Sequence, residues 1–139
     1  MSSSTDFATC DLCDVHKNST DGHFRVLPPV FHSYGGREKF SGEVVTVKCF
    51  EDNSFVKTTL DTPGNGRVLV IDGGGSLRRA LVCGNIGAAA AKNGWAGVVV
   101  NGCVRDKAEL AAADVGIRAL ALMPWPTEKR NEGQKDVPA

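Results

Sequence analysis

The sequence predicts an α/β domain built on a largely parallel sheet, and three observations carry that prediction. Short valine-rich apolar runs recur between glycine-rich turns. Helix-forming segments separate the later runs. The resulting order of strand, helix, strand, helix, strand makes parallel neighbours with helices packed on them. At 139 residues the chain is one domain by size, 1–139, able to bury roughly two-thirds of the surface its unfolded form exposes.

Phe7, Cys10, Leu12 and Cys13 have helical spacing behind Ser4 or Thr5 as candidate N-caps, which predicts a short first helix ending near Val15. Residues 16–29 are polar and carry Asp21-Gly22 and Pro28-Pro29, so 1–29 reads as this helix and a connector. Over 42–50, apolar Val45, Val47 and Cys49 alternate with Thr46 and Lys48, the pattern of a half-buried strand. Residues 67–71 form a buried strand, opened by Pro63-Gly64-Asn65-Gly66 and closed by Asp72-Gly73-Gly74-Gly75. A short strand over 79–83 leads into a helix over 84–93, which holds four consecutive alanines and ends at Gly94. Residues 95–101 return as strand, 107–113 as helix and 117–123 as strand. The tail, 124–139, holds three prolines and reads as irregular.

Sixteen basic residues balance sixteen acidic ones with no long block of either sign, so the footprint of direct nucleic-acid binding is missing. No basic leader or membrane-length apolar run is present, and a cytoplasmic protein with no membrane contact is expected. Five cysteines in a chain with a sizeable core suit buried reduced thiols at Cys49, Cys83 and Cys103, and Cys10 and Cys13 read as buried helix thiols. Their C-x-x-C spacing lacks the second ligand pair of a zinc site. His16, His23 and His32 are scattered through loop sequence, and Lys92 and Lys107 sit at polar helix positions unsuited to an imine-forming lysine.

Ligands of parallel sheets bind beyond the carboxyl ends of the strands, where loops enter helices. Three segments meet that description. Asp72-Gly73-Gly74-Gly75 offers close backbone approach, although no phosphate-loop ending or dinucleotide spacing follows it. Gly84-Asn85-Ile86-Gly87 opens the alanine helix, where unpaired amides suit a carboxylate. Arg105-Asp106 pairs a guanidinium fork for a carboxylate with an oxygen donor for a hard divalent cation. Asp106 followed by Glu109 is also close to a helix capping box, and the spacing alone leaves both roles open. Arg78-Arg79 stays open between an anion site, a contact with a partner subunit and a solvated face.

Six segments resemble the RraA family (regulator of ribonuclease activity A) and the related class II 4-hydroxy-4-methyl-2-oxoglutarate aldolases, in order and spacing. They are Leu12-Cys13-Asp14, Tyr34-Gly35-Gly36-Arg37, Phe40-Ser41-Gly42, the stretch Thr46 to Asn53, the stretch Arg67 to Ser76, and Gly102-Cys103-Val104-Arg105-Asp106. The resemblance implies a layered β/β/α sandwich like the swivelling phosphohistidine domain, assembled as a homotrimer or a dimer of trimers. It implies one of two activities. Bacterial regulators of this type bind RNase E and associated RNA helicases, whereas the aldolases cleave 4-hydroxy-4-methyl-2-oxoglutarate and decarboxylate oxaloacetate. A quinone methyltransferase name has also been attached to the family, and the sequence lacks a nucleoside-binding pattern for it.

The aldolase branch carries an Arg-Asp pair with an acidic residue three positions on, and the best-known regulator has glutamine in place of the aspartate. Arg105, Asp106 and Glu109 keep the aldolase pattern. The resemblance therefore implies a divalent-metal-dependent 2-oxo-acid lyase that forms pyruvate through a metal-stabilised enolate. In that reading Arg105 and Asp106 are catalytic, and Asp106 holds Mg²⁺ or Mn²⁺ mainly through waters, with Glu109 and Asp72 behind it. Gly84, Asn85, Ile86 and Arg105 bind the small 2-oxo acid. The sequence departs from the family twice: aldolases often carry an acidic residue where this chain has Gly84 or Asn85, and family members continue past Val137-Pro138 with closing strands that are expected to be missing here. An open sheet edge is expected from the second departure.

Overall fold

The computed structural model describes residues 7–139. Within them lie four helices and one seven-stranded sheet, the mixed α/β fold expected. Helix α1 spans Thr9–His16 and strand β1 spans His32–Ser33. Then follow β2 (Val44–Lys48), α2 (Ser54–Leu60), β3 (Val68–Asp72), β4 (Ala80–Val82), α3 (Gly84–Lys92), β5 (Gly97–Val104), α4 (Lys107–Ala112), β6 (Gly116–Leu122) and β7 (Gln134–Lys135). The sheet order is β1-β6-β5-β3-β2-β7, with β4 pairing to the far end of β5. The pairs joining β2, β3, β4, β5 and β6 are parallel, while the short strands β1 and β7 run antiparallel at the two edges.

Register explains which residues form the core. Val47, Ile71, Val100 and Ala119 lie in one row across the sheet, and Val45, Leu69, Val98 and Ile117 in another. Side chains of alternate residues share a face, and these rows meet Val56 and Leu60 of α2, Ile86 and Ala90 of α3 and Leu110 of α4 in the main cluster. The intervening row of Thr46, Val70, Val99 and Arg118 faces the other way, towards α1 and the connector. There the Phe40 ring lies on Gly97 and Gly116, and a side chain at either glycine would collide with it.

Several expectations need correction. Helix α1 starts at Thr9 behind Ala8, which makes no side-chain cap; Ser4 and Thr5 lie outside the described residues. It buries none of its residues: Cys10 is exposed and Cys13 only half-buried, so these are not buried helix thiols. Its apolar residues, Leu12 and Val15, are exposed rather than turned onto the core. Cys49 and Cys103 are buried free thiols as expected, whereas Cys83 is half-exposed ahead of α3. Burial pushes the Cys49 thiol up to about 11, with the Asp52 and Asp72 charges adding to it. Helix α2 was not anticipated, and the tail holds the short strand β7. Lys92 and Lys107 are exposed, as expected. No helix among the described residues is long and apolar enough to cross a membrane.

Candidate active site

Strand β5 is the centre of the sheet and delivers Arg105 and Asp106 at its carboxyl end, beside the entry to α3. The Arg105 amide donates to the Val82 carbonyl at 3.0 Å, which fixes the turn against the end of β4. Asp106 precedes α4 with a left-handed backbone, φ 62° and ψ 52°, and makes no cap bond to its own helix. Its Oδ2 instead accepts the Gly84 N–H at 2.9 Å, across 22 residues of chain. The carboxylate thus holds the N-terminus of α3, the helix next door.

Glu109 reaches the same point from the first turn of α4. Its carboxylate lies so close over Gly84 that any side chain there would collide with it. Two carboxylates therefore meet at one helix N-terminus, where the positive end of the helix dipole favours negative charge. Neither has a cationic partner among the described residues, and Asp106 Oδ1 carries no protein hydrogen bond. Of the first-turn amides of α3, that of Gly84 is taken by Asp106 and that of Gly87 by the Cys83 carbonyl at 2.9 Å. The amides of Asn85 and Ile86 remain for a ligand, so two of the three expected amides are open.

Arg105 is half-buried and donates one N–H to the Pro124 carbonyl at 3.3 Å. Asp72 lies elsewhere: at the end of β3 its Oδ1 accepts the Gly74 N–H at 3.0 Å and folds the glycine turn, with no described contact to Asp106 or Gly84. Sequence reading gave no role to Glu51, which locks that turn. Glu51 pairs in bidentate fashion with Arg78, at 2.6 Å and 2.8 Å, and accepts the Ser76 hydroxyl at 2.7 Å. Arg78 and Ser76 hold the Glu51 carboxyl below its ordinary range, and its left-handed backbone, φ 56°, aims it back at the turn. A long-range pair such as Glu51 and Arg78 leaves no periodic signal in sequence.

The donor set fits a hard divalent ion. No cluster of three or more His, Cys, Asp or Glu side chains able to hold a metal exists among the described residues, so an all-protein cage is not formed. One or two carboxylates with substrate and water oxygens completing the shell is the mode that suits Mg²⁺, and Asp106 Oδ1 with the neighbouring Glu109 supplies that set. A separate cleft of about 820 Å³ lies on the opposite face between α1, the connector and the sheet, and none of the candidate residues lines it.

A family model described as RraA-like, Aldolase/RraA, matches residues 9–139. The chain is 66% identical to a protein of Albidiferax ferrireducens named "Putative 4-hydroxy-4-methyl-2-oxoglutarate aldolase", over 94% of this chain and 80% of that one. A protein of the same name from Cupriavidus necator is 59% identical, over 93% and 79%. Among solved structures the chain is similar to the RNA-processing inhibitor RraA from Thermus thermophilis, with TM-score 0.88 and 46% identity over 96% of this chain and 78% of that one. It is also similar to a structure from Geobacillus kaustophilus described as S-adenosylmethionine: 2-dimethylmenaquinone methyltransferase, with TM-score 0.86 and 41% identity over 94% and 79%.

Proposed function

The chain belongs to the RraA-like (Aldolase/RraA) family, and from that membership we propose that it is a divalent-metal-dependent 2-oxo-acid lyase, cleaving 4-hydroxy-4-methyl-2-oxoglutarate and decarboxylating oxaloacetate to pyruvate. The observation that carries the reading is the Asp106 carboxylate, turned away from its own helix and holding the Gly84 amide with its second oxygen open beside Glu109. The names of the two relatives, at 66% and 59% identity, support it.

Asp106 would hold Mg²⁺ or Mn²⁺, which when bound would supply Lewis acidity towards the keto acid. The amides of Asn85 and Ile86 receive the substrate carboxylate at the N-terminus of α3. Arg105 orients that carboxylate and faces the negative charge that grows on the keto oxygen as the carbon–carbon bond breaks. Glu109, whose carboxylate lies over Gly84, handles the proton that the product carbon must gain. The active unit in this reading is a homotrimer or a dimer of trimers.

The test measures pyruvate released from oxaloacetate and from 4-hydroxy-4-methyl-2-oxoglutarate, with and without EDTA. Turnover that EDTA abolishes and metal restores is expected. In Asp106→Asn the loss should exceed the roughly 10–100-fold typical of a group that only supports a ligand. Unchanged turnover in that variant removes the assignment. A second reading, a non-catalytic regulator of RNase E and RNA helicases, is favoured by the 46% identity and TM-score of 0.88 to the Thermus inhibitor. It predicts no EDTA-sensitive turnover and a measurable complex with the ribonuclease.

A further inference from the structure

We infer that Arg79 is a second carboxylate-binding residue of this site and fits it to 2-oxo dicarboxylates in preference to 2-oxo monocarboxylates; the inference rests on the lyase reading above. The structure separates the two adjacent arginines. Arg78 is consumed by its bidentate pair with Glu51. Arg79 makes no ion pair or hydrogen bond with a carboxylate among the described residues, although its charge is felt at the Glu51 carboxyl that Arg78 holds. It is half-buried, its guanidinium stands 5.6 Å from the centroid of the Trp125 ring, and it donates one N–H to the Pro126 carbonyl at 3.3 Å.

Arg105 is in the matching state: half-buried, with no carboxylate partner among the described residues and one N–H on the Pro124 carbonyl at 3.3 Å. The two arginines therefore hang on one short rail, Pro124-Trp125-Pro126. The middle carbonyl of that rail turns to β4 and accepts the Ala80 N–H at 2.8 Å. Carbonyls two residues apart in extended chain point the same way and stand about 6.6 Å apart. We place the two guanidinium groups as neighbours on the strength of these two carbonyl contacts.

Each guanidinium uses one of its five N–H donors on a neutral carbonyl, at a distance longer than the 2.7–2.9 Å or so of a charge-assisted bond. A ligand with a negative charge at each end gains a charge-assisted contact from each of two such cations. A chain of four or five carbons places its terminal carbons on the order of 4–5 Å apart. With one hydrogen bond of about 2.9 Å at each end it spans neighbouring guanidinium groups. With Arg105 at the 2-oxo carboxylate, Arg79 takes the distal one, and the indole of Trp125 backs the guanidinium so that its free edge faces the ligand.

The experiment titrates the intact protein, in excess magnesium, with pyruvate and with 2-oxoglutarate, which share the 2-oxo head and differ in the distal carboxylate. Calorimetry is the readout, with oxaloacetate kinetics run in parallel on the unmodified protein, Arg79→Met and Arg79→Lys. The unmodified protein is expected to bind 2-oxoglutarate about tenfold tighter than pyruvate, the effect of one charge-assisted contact. Arg79→Met removes that preference without changing pyruvate affinity and raises the KM for oxaloacetate about tenfold with kcat retained. Arg79→Lys recovers part of both. Unchanged 2-oxoglutarate affinity in Arg79→Met, or equal loss for the two ligands in either variant, overturns the inference. An Arg79-dependent preference without any oxaloacetate turnover removes the lyase reading and leaves the dicarboxylate site standing; absence of binding by the unmodified protein removes both.

Discussion

Asp106 shows how a single residue is set up for two jobs. Its backbone is left-handed, a conformation aspartate and asparagine tolerate better than most residues. A helix-capping residue instead has extended backbone and bonds its own first turn, so Asp106-x-x-Glu109 has the spacing of a capping box without being one. Asn keeps both the left-handed tolerance and an oxygen for the Gly84 N–H. Asp106→Asn should therefore fold with stability close to the parent while losing turnover, whereas Asp106→Ala should also cost about 1–3 kcal/mol for the left-handed backbone and the lost bond to Gly84. Thermal melts of the two variants beside the pyruvate assay separate these effects. Gly84 is the counterpart residue. Gly84→Ala drives a methyl group into the Glu109 carboxylate, so it should abolish turnover and destabilise by about 1–3 kcal/mol. Full activity in Gly84→Ala would show that the Glu109 carboxylate has no fixed place in the site.

At the scale of elements, the residues that set α2 and the tail are ones whose partners lie far along the chain. Ser54–Leu60 reads Ser-Phe-Val-Lys-Thr-Thr-Leu, a run of indifferent helix formers. Burial of Val56 and Leu60 overrides that weak propensity. So does Asp52, fully buried, whose Oδ1 accepts the Ser54 amide at 2.9 Å and hydroxyl at 2.6 Å. Its Oδ2 accepts the amides of Arg130 at 2.8 Å and Glu132 at 3.1 Å, so one carboxylate starts a helix and anchors the tail. Asn53 adds the Thr127 hydroxyl at 2.7 Å, and Gly133 then leads into β7. By contrast β2, β3, β5, β6, α3 and α4 were legible, because valine-rich runs, the alanine run and glycine stops are local signals. Arg105, Asp106, Gly84 and Glu109 were legible as residues, but the bond from Asp106 to the neighbouring helix was not, since it depends on β4 and β5 ending side by side. Burial raises the Asp52 carboxyl, yet the four hydrogen bonds outweigh it and hold the group at about 2, against 3.8 when free. A depressed carboxyl stabilises the fold above its unfolded value and loses that contribution as pH falls through the folded one. Stability should therefore be level above about pH 5 and decline from near 4 towards 2. Asp52→Ala should remove on the order of 3 kcal/mol, flatten that decline and expose 127–135 to protease, because it leaves buried donors unpaired. An acid melt of Asp52→Ala that matches the parent would remove Asp52 from this role.

For the whole molecule, the surface at the carboxyl end of the sheet is the informative one. Phe50 follows β2 and is 55% exposed, Leu77 lies between β3 and β4 at 56%, Leu122 ends β6 at 44% and Trp125 follows it at 62%. Large apolar side chains scattered singly on a surface need no explanation, but these four share the rim on which Arg105, Asp106 and the glycine turn sit. Phe50 packs against Gly74 of that turn, so its exposure is fixed by the turn that Glu51 and Arg78 lock. A rim of this kind is covered when copies associate through it, and a trimer would then place each site against a neighbouring subunit. The edges of the sheet argue the same way. β7 covers only Val47 and Lys48 of β2, so the expected open edge is shortened to the start of β2, and the two-residue edge strands favour association through the rim over strand addition. The proposed trimer has a mass of about 44 kDa, three times the 14.7 kDa of one chain. Light scattering over a range of concentrations should report that mass. Leu77→Glu should shift it towards the single chain, since a charge is then buried unpaired in the contact, and turnover should fall with the mass while the isolated melt changes little. A parent protein that stays at the mass of one chain and still turns over oxaloacetate would show that the rim is a free surface and that the site works without a neighbour.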